Sequence, residues 1–185
     1  MSSSVALSRP ATEAAFTIFA IILFKVLILH WIGRPLICEC GVLKLWQGRL
    51  DPHHNSQHFS DHYSLLHAAF GIGLFRILVW LRPDWSMARL MVAVAASSAI
   101  WEVMENTPFI IERFAAFGSN LDYQGDSLVN SVGDTLFVLI GAFLAAWLRQ
   151  MPALMLALCI ELSVYLLIGD SIVHGMLRLV AGPTS

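Results

Sequence analysis

A histidine-rich stretch at residues 53–62 carries side chains that could bind a metal. It reads HHNSQHFSDH, and His67 follows a short distance along the chain. If the stretch is helical, His58 and His62 lie on one face at i, i+4, with Asp61 beside them. Imidazole and carboxylate are suitable ligands for zinc, manganese or iron. The stretch therefore predicts either a metal site or a solvated loop with its histidines at the level of the lipid headgroups.

A pair of acids lies at the end of an apolar run. Glu102 and Glu105 are i, i+3 neighbours on a helix, and Asn106 is i, i+4 from Glu102. Carboxylates at membrane depth are costly, so they usually face the interior of a helix bundle or water. We predict that these acids belong to a functional site, and a structural ion pair is the alternative.

A third polar series enters the next apolar run. Asp126, Asn130 and Asp134 repeat at i, i+4, i+8, which predicts a polar stripe along one helix face. Gly133 beside this stripe would allow close contact with another helix. Asp126 could serve only as a helix cap, because carboxylates favour helix N-termini. Asn130 and Asp134 lie too deep for that role.

The elements that must position these residues are apolar helices. Of the 185 residues, 57% are hydrophobic and 13% are charged, and the mean hydropathy is +0.70. Soluble domains carry about 25% charged residues, so the composition indicates a membrane protein. Five windows are long and apolar enough to cross a bilayer, and we predict one all-α transmembrane domain over 1–185 with spans at 14–33, 63–81, 87–104, 131–148 and 153–169.

Several classes of protein are excluded by the sequence. There is no basic stripe to neutralise phosphates, so a nucleic-acid partner is not expected. No glycine-rich phosphate loop, G-x-S-x-G elbow or H-E-x-x-H zinc helix is present. The three cysteines are too few, and Cys38 and Cys40 too close together, for a disulfide scaffold.

An odd number of spans decides which polar segments can meet. Five spans place 34–62, 105–130 and the tail after Gly169 on one face of the membrane. The histidines and the acids should therefore converge there, with a short interfacial helix at 109–117 opened by Thr107 and Pro108. The opposite face carries basic residues in its short loops, which favours a cytoplasmic N-terminus; these residues are Arg82, Arg89 and Arg149.

Three charged residues lie inside the predicted spans. Lys25 and Glu161 are at comparable depth in the first and last spans, and we predict a structural pair between them. Arg76 is nearer the opposite face, where its long side chain could reach the interface.

On residues 56–67, 101–113 and 121–134, the sequence resembles the domain of unknown function 2585 family. Members of that family are bacterial, mostly alphaproteobacterial, integral inner-membrane proteins. The resemblance implies the fold and the location of a site but no reaction. It marks His58, Asp61, His67, Glu102, Glu105, Asn106, Arg113, Asp122, Tyr123, Gly125, Asp126, Ser127, Asn130, Ser131 and Asp134. This sequence departs from the family pattern at Phe70 and Ala115, and His53, His54 and His62 lie outside the pattern.

Together these observations predict a metal-assisted hydrolase or transferase that acts on a lipid or lipid-linked headgroup. The expected cofactor is zinc, manganese or iron, and the expected partners are membrane lipids. The predicted metal ligands are His58, Asp61 and His67. The predicted catalytic residues are Glu102, Glu105, Asp126, Asn130 and Asp134. The predicted substrate-binding residues are Arg113, Tyr123 and Ser127. The alternative is a non-enzymatic subunit that binds lipid, a partner membrane protein or a second copy of itself. A transporter is less favoured, because no inverted repeat is visible.

Overall fold

The structure is a computed structural model that describes residues 9–116 and 123–181. This part of the chain is all-helical and contains no strand, which confirms the predicted fold class. Five of the helices in these described ranges are long and apolar enough to cross a membrane. The helices are α1 (Arg9–Trp31), α2 (His62–Leu81), α3 (Met87–Glu105), α4 (Pro108–Ala116), α5 (Leu128–Trp147), α6 (Gln150–Ile168) and α7 (Ile172–Ala181).

Helices α2 and α5 begin earlier than hydropathy alone predicts, because polar residues cap their N-termini. Asp61 accepts a hydrogen bond from the backbone N–H of Tyr63 at 2.8 Å, and Ser64 Oγ accepts one from the Asp61 N–H at 3.1 Å. Ser127 caps α5 by accepting from the Asn130 N–H at 3.1 Å. Such caps satisfy N–H groups that have no partner within the helix. They also fix the first turns of α2 and α5, where the polar residues lie.

Helices α2 and α5 share the most extensive contact among the described helices, and glycine makes their close approach possible. A Cβ atom added at Gly141 would lie 2.0 Å from the carbonyl oxygen of Ala68, and one at Gly71 would lie 2.1 Å from that of Val138. Both neighbours are backbone atoms, which cannot rotate away. Small residues at helix contacts are a common packing solution in membranes.

The interior of the bundle is apolar at one end and polar at the other. Near the short loops, buried residues of α2, α3, α5 and α6 pack together, among them Ile72, Val94 and Val138. The starts of α2 and α5 and the end of α3 are instead lined by buried polar groups. Hydrophobic packing at one end thus supports a polar chamber at the other.

The three long segments meet at the polar end, as the odd number of spans predicts. The backbone N–H of Ser127 donates to the carbonyl of Ser56 at 2.9 Å, and that of Leu128 donates to Pro35 at 2.9 Å. The predicted interfacial helix is present as α4, although residue 117 lies outside the described part. Helix α7, which packs against α4, was not predicted.

The predicted pair between Lys25 and Glu161 is wrong. Lys25 Nζ donates to Ser131 O at 2.6 Å and to Thr135 Oγ1 at 2.7 Å. Glu161 accepts from the backbone N–H groups of Ile172 and Val173, each at 3.2 Å, and so caps α7. Similar depth in the bilayer did not bring the two side chains together, because α1 packs mainly on α3 and α5 whereas α6 packs on α2.

Arg76 also bonds to protein instead of reaching the interface. Its guanidinium donates to the carbonyl oxygens of Ala145 and Leu148 at the end of α5. The last carbonyls of a helix have no partner within the helix, so Arg76 stabilises the C-terminus of α5.

Candidate functional site

A cavity of about 150 Å³ lies at the polar end of the bundle. It is bounded by α2, α3, α5 and α7, with contributions from α4 and from the chain just before α5. One part of its wall is polar and includes Tyr63, His67, Glu105, Tyr123, Asp126, Asp134, Asp170 and Arg178. The rest is apolar and includes Leu66, Phe70, Trp101, Phe114, Ile172 and Met176. A wall of this mixed kind suits an amphipathic ligand.

His67, Glu102 and Glu105, which we call the His67 site, form an acidic group at the polar end of the bundle. Their ligand atoms lie within 4.8 Å of one another. His67 and Glu105 line the cavity, whereas Glu102 does not. His67 Nδ1 is 3.6 Å from Glu102 Oε1, and His67 Nε2 is 3.9 Å from Asp134 Oδ2. The imidazole therefore stands between two carboxyl groups from different helices.

Glu102 is the most unusual residue of the His67 site. Its side chain has no exposed surface, and neither carboxylate oxygen has a hydrogen-bond partner among the described residues. Glu105 Oε2 shares this condition within the same part of the chain. Buried carboxylates are normally hydrogen-bonded, paired or bound to a metal. The arrangement is thus short of a positively charged or hydrogen-bonding partner.

Asp126 is held in a closed hydrogen-bond network. Asn106 Nδ2 donates to Asp126 Oδ2 at 2.7 Å, the Asp126 N–H donates to Asn106 Oδ1 at 2.7 Å, and the Tyr123 hydroxyl donates to Asp126 Oδ1 at 3.0 Å. Burial, followed by the negative charge of Glu102, raises the pKa of Asp126 to about 7. Burial and the charge of Asp126 raise the pKa of Tyr123 well above its ordinary value. Near neutral pH, Asp126 can therefore accept or release a proton while Tyr123 stays protonated.

Two members of the predicted polar stripe, Asp126 and Asp134, line the cavity, whereas Asn130 does not. Asp126 precedes the cap of α5, so only Asn130 and Asp134 lie on that helix. Asp134 accepts a hydrogen bond from Ser64 Oγ, which joins α5 to the first turn of α2. Asn130 is buried, and neither its amide nitrogen nor its amide oxygen has a hydrogen-bond partner in the described chain. A buried amide without hydrogen bonds is costly. Asn130 is therefore another buried side chain, besides Glu102, whose polar atoms are unsatisfied.

A buried cation lies behind the acids. Lys25 is 1% exposed, and the acids whose charges act on it are Glu102, Asp134 and Asp126. Its hydrogen bonds to α5 hold the ammonium group in place. This one amine does not balance the nearby carboxyl groups, and the chamber keeps an excess of acid.

The predicted metal ligands do not lie together in the structure. His67 lines the cavity and lies beside Glu102 and Glu105. His58 instead lies beside Cys38 and His54, and Asp61 uses its carboxylate to cap α2 and to accept from the Ser56 N–H at 2.7 Å. No potential metal-binding group of three or more described residues contains these predicted ligands together.

The predicted substrate-binding residues are also divided. Tyr123 lines the cavity. Ser127 caps α5 and donates to the carbonyl of Gln57 at 3.1 Å, and it does not line the cavity. The Arg113 guanidinium lies 5.1 Å from the centre of the Phe109 ring, and Arg113 also lies outside the cavity wall. Asp122, marked by the family resemblance, lies outside the described residues.

Arg178 is the cation in the cavity wall, and sequence reasoning missed it. Its guanidinium bonds to Asp170 Oδ2 at 2.7 Å, and the Tyr63 hydroxyl is 3.4 Å from the same oxygen. The amphipathic pattern of residues 172–181, after the last span, was the available signal. Helix α7 brings Arg178 back over the chamber, so an anionic group in the cavity would meet this residue.

Comparison with known sequences places the chain in a family. The family described as "Protein of unknown function (DUF2585)" matches residues 29–183, and the chain belongs to it. This confirms the resemblance found in the motifs. With its apolar helices, the chain is a multi-pass membrane protein of a bacterial family.

The chain is similar along most of its length to several proteins that carry the name UPF0314 protein. One from Brucella anthropi is 37% identical over 183 residues, covering 97% of this chain and 93% of that protein. One from Rhizobium meliloti is 40% identical over 163 residues, covering 86% and 81%. One from Sphingopyxis alaskensis is 36% identical over 163 residues, covering 88% and 86%. No solved structure matches the chain.

Proposed function

We propose that this protein is a membrane-embedded hydrolase or transferase that uses a divalent metal to act on a lipid or lipid-linked headgroup. The observation that carries the proposal is Glu102, a buried carboxylate with two unpartnered oxygens beside His67 and Glu105. A cation would offset the cost of burying these acids. The imidazole and carboxylates of the His67 site suit manganese, iron or zinc.

The division of the cavity wall supports a lipid as substrate. Apolar residues such as Leu66 and Phe70 would contact hydrocarbon, while Arg178 would bind an anionic headgroup through charge-assisted hydrogen bonds. Arg178 takes the role that the sequence assigned to Arg113, because Arg178 lines the cavity. The Tyr123 hydroxyl already donates to Asp126, so it could donate to the same ligand only if that hydrogen bond broke.

Asp126 is suited to move a proton during the reaction. In hydrolysis, a water oxygen forms a bond to the phosphorus or acyl carbon of the substrate while the bond to the leaving oxygen breaks. The water proton passes to the Asp126 carboxylate, and Asp126 returns a proton to the leaving oxygen. A bound divalent metal would supply Lewis acidity to such a site. In a transferase, an alcohol takes the place of water, and the proton balance is the same.

The test is the metal content and activity of purified protein. After dialysis, elemental analysis should find manganese, iron or zinc bound in a Glu102-dependent way, and Glu102→Gln should lose this metal. The protein should also convert vesicles of a total bacterial lipid extract, with turnover abolished in the same variant. Glu112→Gln is the control, because it removes an exposed carboxylate from α4. Absence of Glu102-dependent metal together with absence of turnover would refute the proposal.

A non-enzymatic subunit is the second candidate, and the closed network of Asn106, Tyr123 and Asp126 favours it. Networks of satisfied buried polar groups often specify packing. In that case the protein would co-purify with a lipid, a membrane protein or a second copy in fixed ratio. Neither the wild-type protein nor Glu102→Gln would show turnover, and the two would have the same metal content.

We further propose that the protein lies in the inner membrane with its N-terminus in the cytoplasm. The arginines of the short loops support this orientation. Reporter fusions after Asp84 and after His53 test it: the first should report the cytoplasm and the second the periplasm. The reverse result would overturn the orientation.

A further inference from the structure

A second group of metal-ligand side chains lies outside the chamber, in the segment between α1 and α2. Their ligand atoms all lie within 4.8 Å of one another. We call them the thiol–imidazole cluster, which consists of Cys38, Cys40, His54 and His58. None of them belongs to the His67 site, and the inference below does not depend on the proposed function.

The geometry within the thiol–imidazole cluster is compact. Cys38 Sγ lies 3.4 Å from His54 Nδ1. The rings of His54 and His58 stack with their centres 5.4 Å apart and their planes 10° apart. Both cysteines are free thiols. Two sulfur atoms and two imidazoles therefore converge on one small volume.

The buried ring of His58 points to a ligand in the cluster. It is 1% exposed, yet neither ring nitrogen has a hydrogen-bond partner among the described residues. A neutral imidazole has one donor and one acceptor, and leaving both unmet in the interior is costly. A metal ion bound to the ring would satisfy its unprotonated nitrogen.

The backbone and a neighbouring acid hold the ligands in position. The Cys40 N–H donates to Cys38 Sγ at 3.3 Å, and the Gly41 N–H donates to the carbonyl of Cys38 at 3.0 Å. Gly41 has a φ of +74°, which glycine adopts without strain. On the other side, His54 Nε2 faces Asp51 Oδ2 at 3.9 Å. A carboxylate behind a histidine is the usual support of a metal-ligating imidazole.

We propose that the thiol–imidazole cluster binds one Zn²⁺ ion in a tetrahedral Cys₂His₂ site. Two thiolates and two imidazoles are a ligand set that favours zinc over the harder cations. The protein supplies all four ligands, which is typical of a structural site and leaves no position for a substrate. The two thiolates also neutralise the charge of the ion.

A zinc ion here would order the segment that supports the chamber. The residues next to His58 bond directly to the chain before α5. Gln57 Nε2 donates to the carbonyl of Gly125 at 2.7 Å, and the Ser127 N–H donates to that of Ser56. Because the ion would join residues 38–40 to residues 54–58, it would stabilise the loop that holds Gly125 and Ser127 on either side of Asp126.

Cobalt substitution tests the proposal with a signal that the His67 site cannot give. The full-length protein is purified with its thiols reduced, stripped of metal with a chelator and titrated with Co²⁺. We expect a thiolate-to-cobalt charge-transfer band in the near ultraviolet and intense visible bands of a tetrahedral ion, saturating at one Co²⁺ per chain for this signal. One equivalent of Zn²⁺ should bleach the bands.

Variants assign the signal to residues. Cys40→Ser changes an exposed thiol and should leave the fold intact, and both it and His58→Gln should lose the charge-transfer band or shift it strongly. Cys159→Ser and His53→Gln are matched controls that should retain it. Glu102→Gln should also retain it, even if that variant loses the metal of the His67 site.

Three results would overturn the proposal. They are the absence of the charge-transfer band in reduced protein, an unchanged band in Cys40→Ser, and a native disulfide between Cys38 and Cys40 in protein isolated without reductant.

Discussion

His67 Nδ1 lies 3.6 Å from Glu102 Oε1, across the contact between α2 and α3. The distance is too long for a good hydrogen bond, and the carboxylate has no other hydrogen-bond partner in the described chain. The imidazole and the carboxylate are therefore close neighbours that form no hydrogen bond with each other. This relationship is the basis of the metal proposal, and it has a consequence for stability.

Glu102→Gln should stabilise the metal-free protein. Lys25 offsets the buried carboxylate only in part, and an unsatisfied neutral amide costs less to bury than a carboxylate, so we expect the free energy of unfolding to rise by about 1–3 kcal/mol. Thermal unfolding in detergent after chelator treatment measures the effect. Glu112→Gln should change the unfolding temperature little, because surface changes are usually within about 0.5 kcal/mol. A strongly destabilised Glu102→Gln protein would show that the charge is already compensated.

The stability of the protein should fall as the pH rises from about 4 to about 7. The pKa of Asp126 is raised from 3.8 to about 7 by burial and by Glu102, so in this window the folded protein binds a proton at Asp126 that the unfolded chain has released. Stability falls with pH wherever the folded state binds more protons. The contribution of Asp126 is complete below pH 4 and lost above pH 7.

Asp126→Asn should flatten this pH profile, and Asp84→Asn, an exposed control, should not. Unfolding temperatures measured between pH 4 and pH 8 give the comparison. A profile that is equally steep in Asp126→Asn would mean that other groups carry the pH dependence.

Gly141→Ala should destabilise the bundle, whereas Gly73→Ala should not. The new Cβ at position 141 would meet the Ala68 carbonyl at 2.0 Å, while one at position 73 would meet nothing within 4 Å. Forcing α2 and α5 apart should cost about 1–3 kcal/mol. Alanine at position 73 should be neutral or gain up to about 1 kcal/mol, because alanine favours helix. Equal unfolding temperatures for the two variants would contradict the close packing of α2 against α5.

Much of this fold follows from the sequence. Each span is a long apolar run, so its existence was predictable. The count of five spans also correctly places the acids of α3 at the same end of the bundle as His67. The start of α5 was less predictable, since hydropathy alone begins the span at residue 131, whereas the Ser127 cap begins the helix at Leu128. Caps are local hydrogen bonds that hydropathy does not register.

The detailed site was less accessible from sequence. His58 and His67 are only nine positions apart, but His58 precedes α2 in an irregular loop and His67 lies within the helix. Which neighbours His58 meets depends on how that loop folds back to Cys38. Arg178 reaches the cavity only because α7 turns back after Gly169, whose φ of +71° ends α6. The path of the loop to Cys38 and the position of α7 over the cavity both depend on tertiary packing. The assignment of catalytic residues therefore stays a prediction.

Glu161→Ala should loosen α7. Glu161 accepts from the first N–H groups of α7, and loss of a cap costs about 0.5–2 kcal/mol. Because Arg178 lies on α7, limited trypsin digestion should cleave after it several times faster in the variant. Ser163→Ala, an exposed change on the same helix, should be cleaved at the wild-type rate. Equal cleavage of the two variants would show that Glu161 does not hold α7.

The most direct test of the metal proposal is pulsed electron paramagnetic resonance of the protein loaded with one equivalent of Mn²⁺. We expect a hyperfine coupling to one imidazole nitrogen, which disappears in His67→Gln and persists in His58→Gln. A Mn²⁺ signal without nitrogen coupling, or a coupling that survives in His67→Gln, would contradict it.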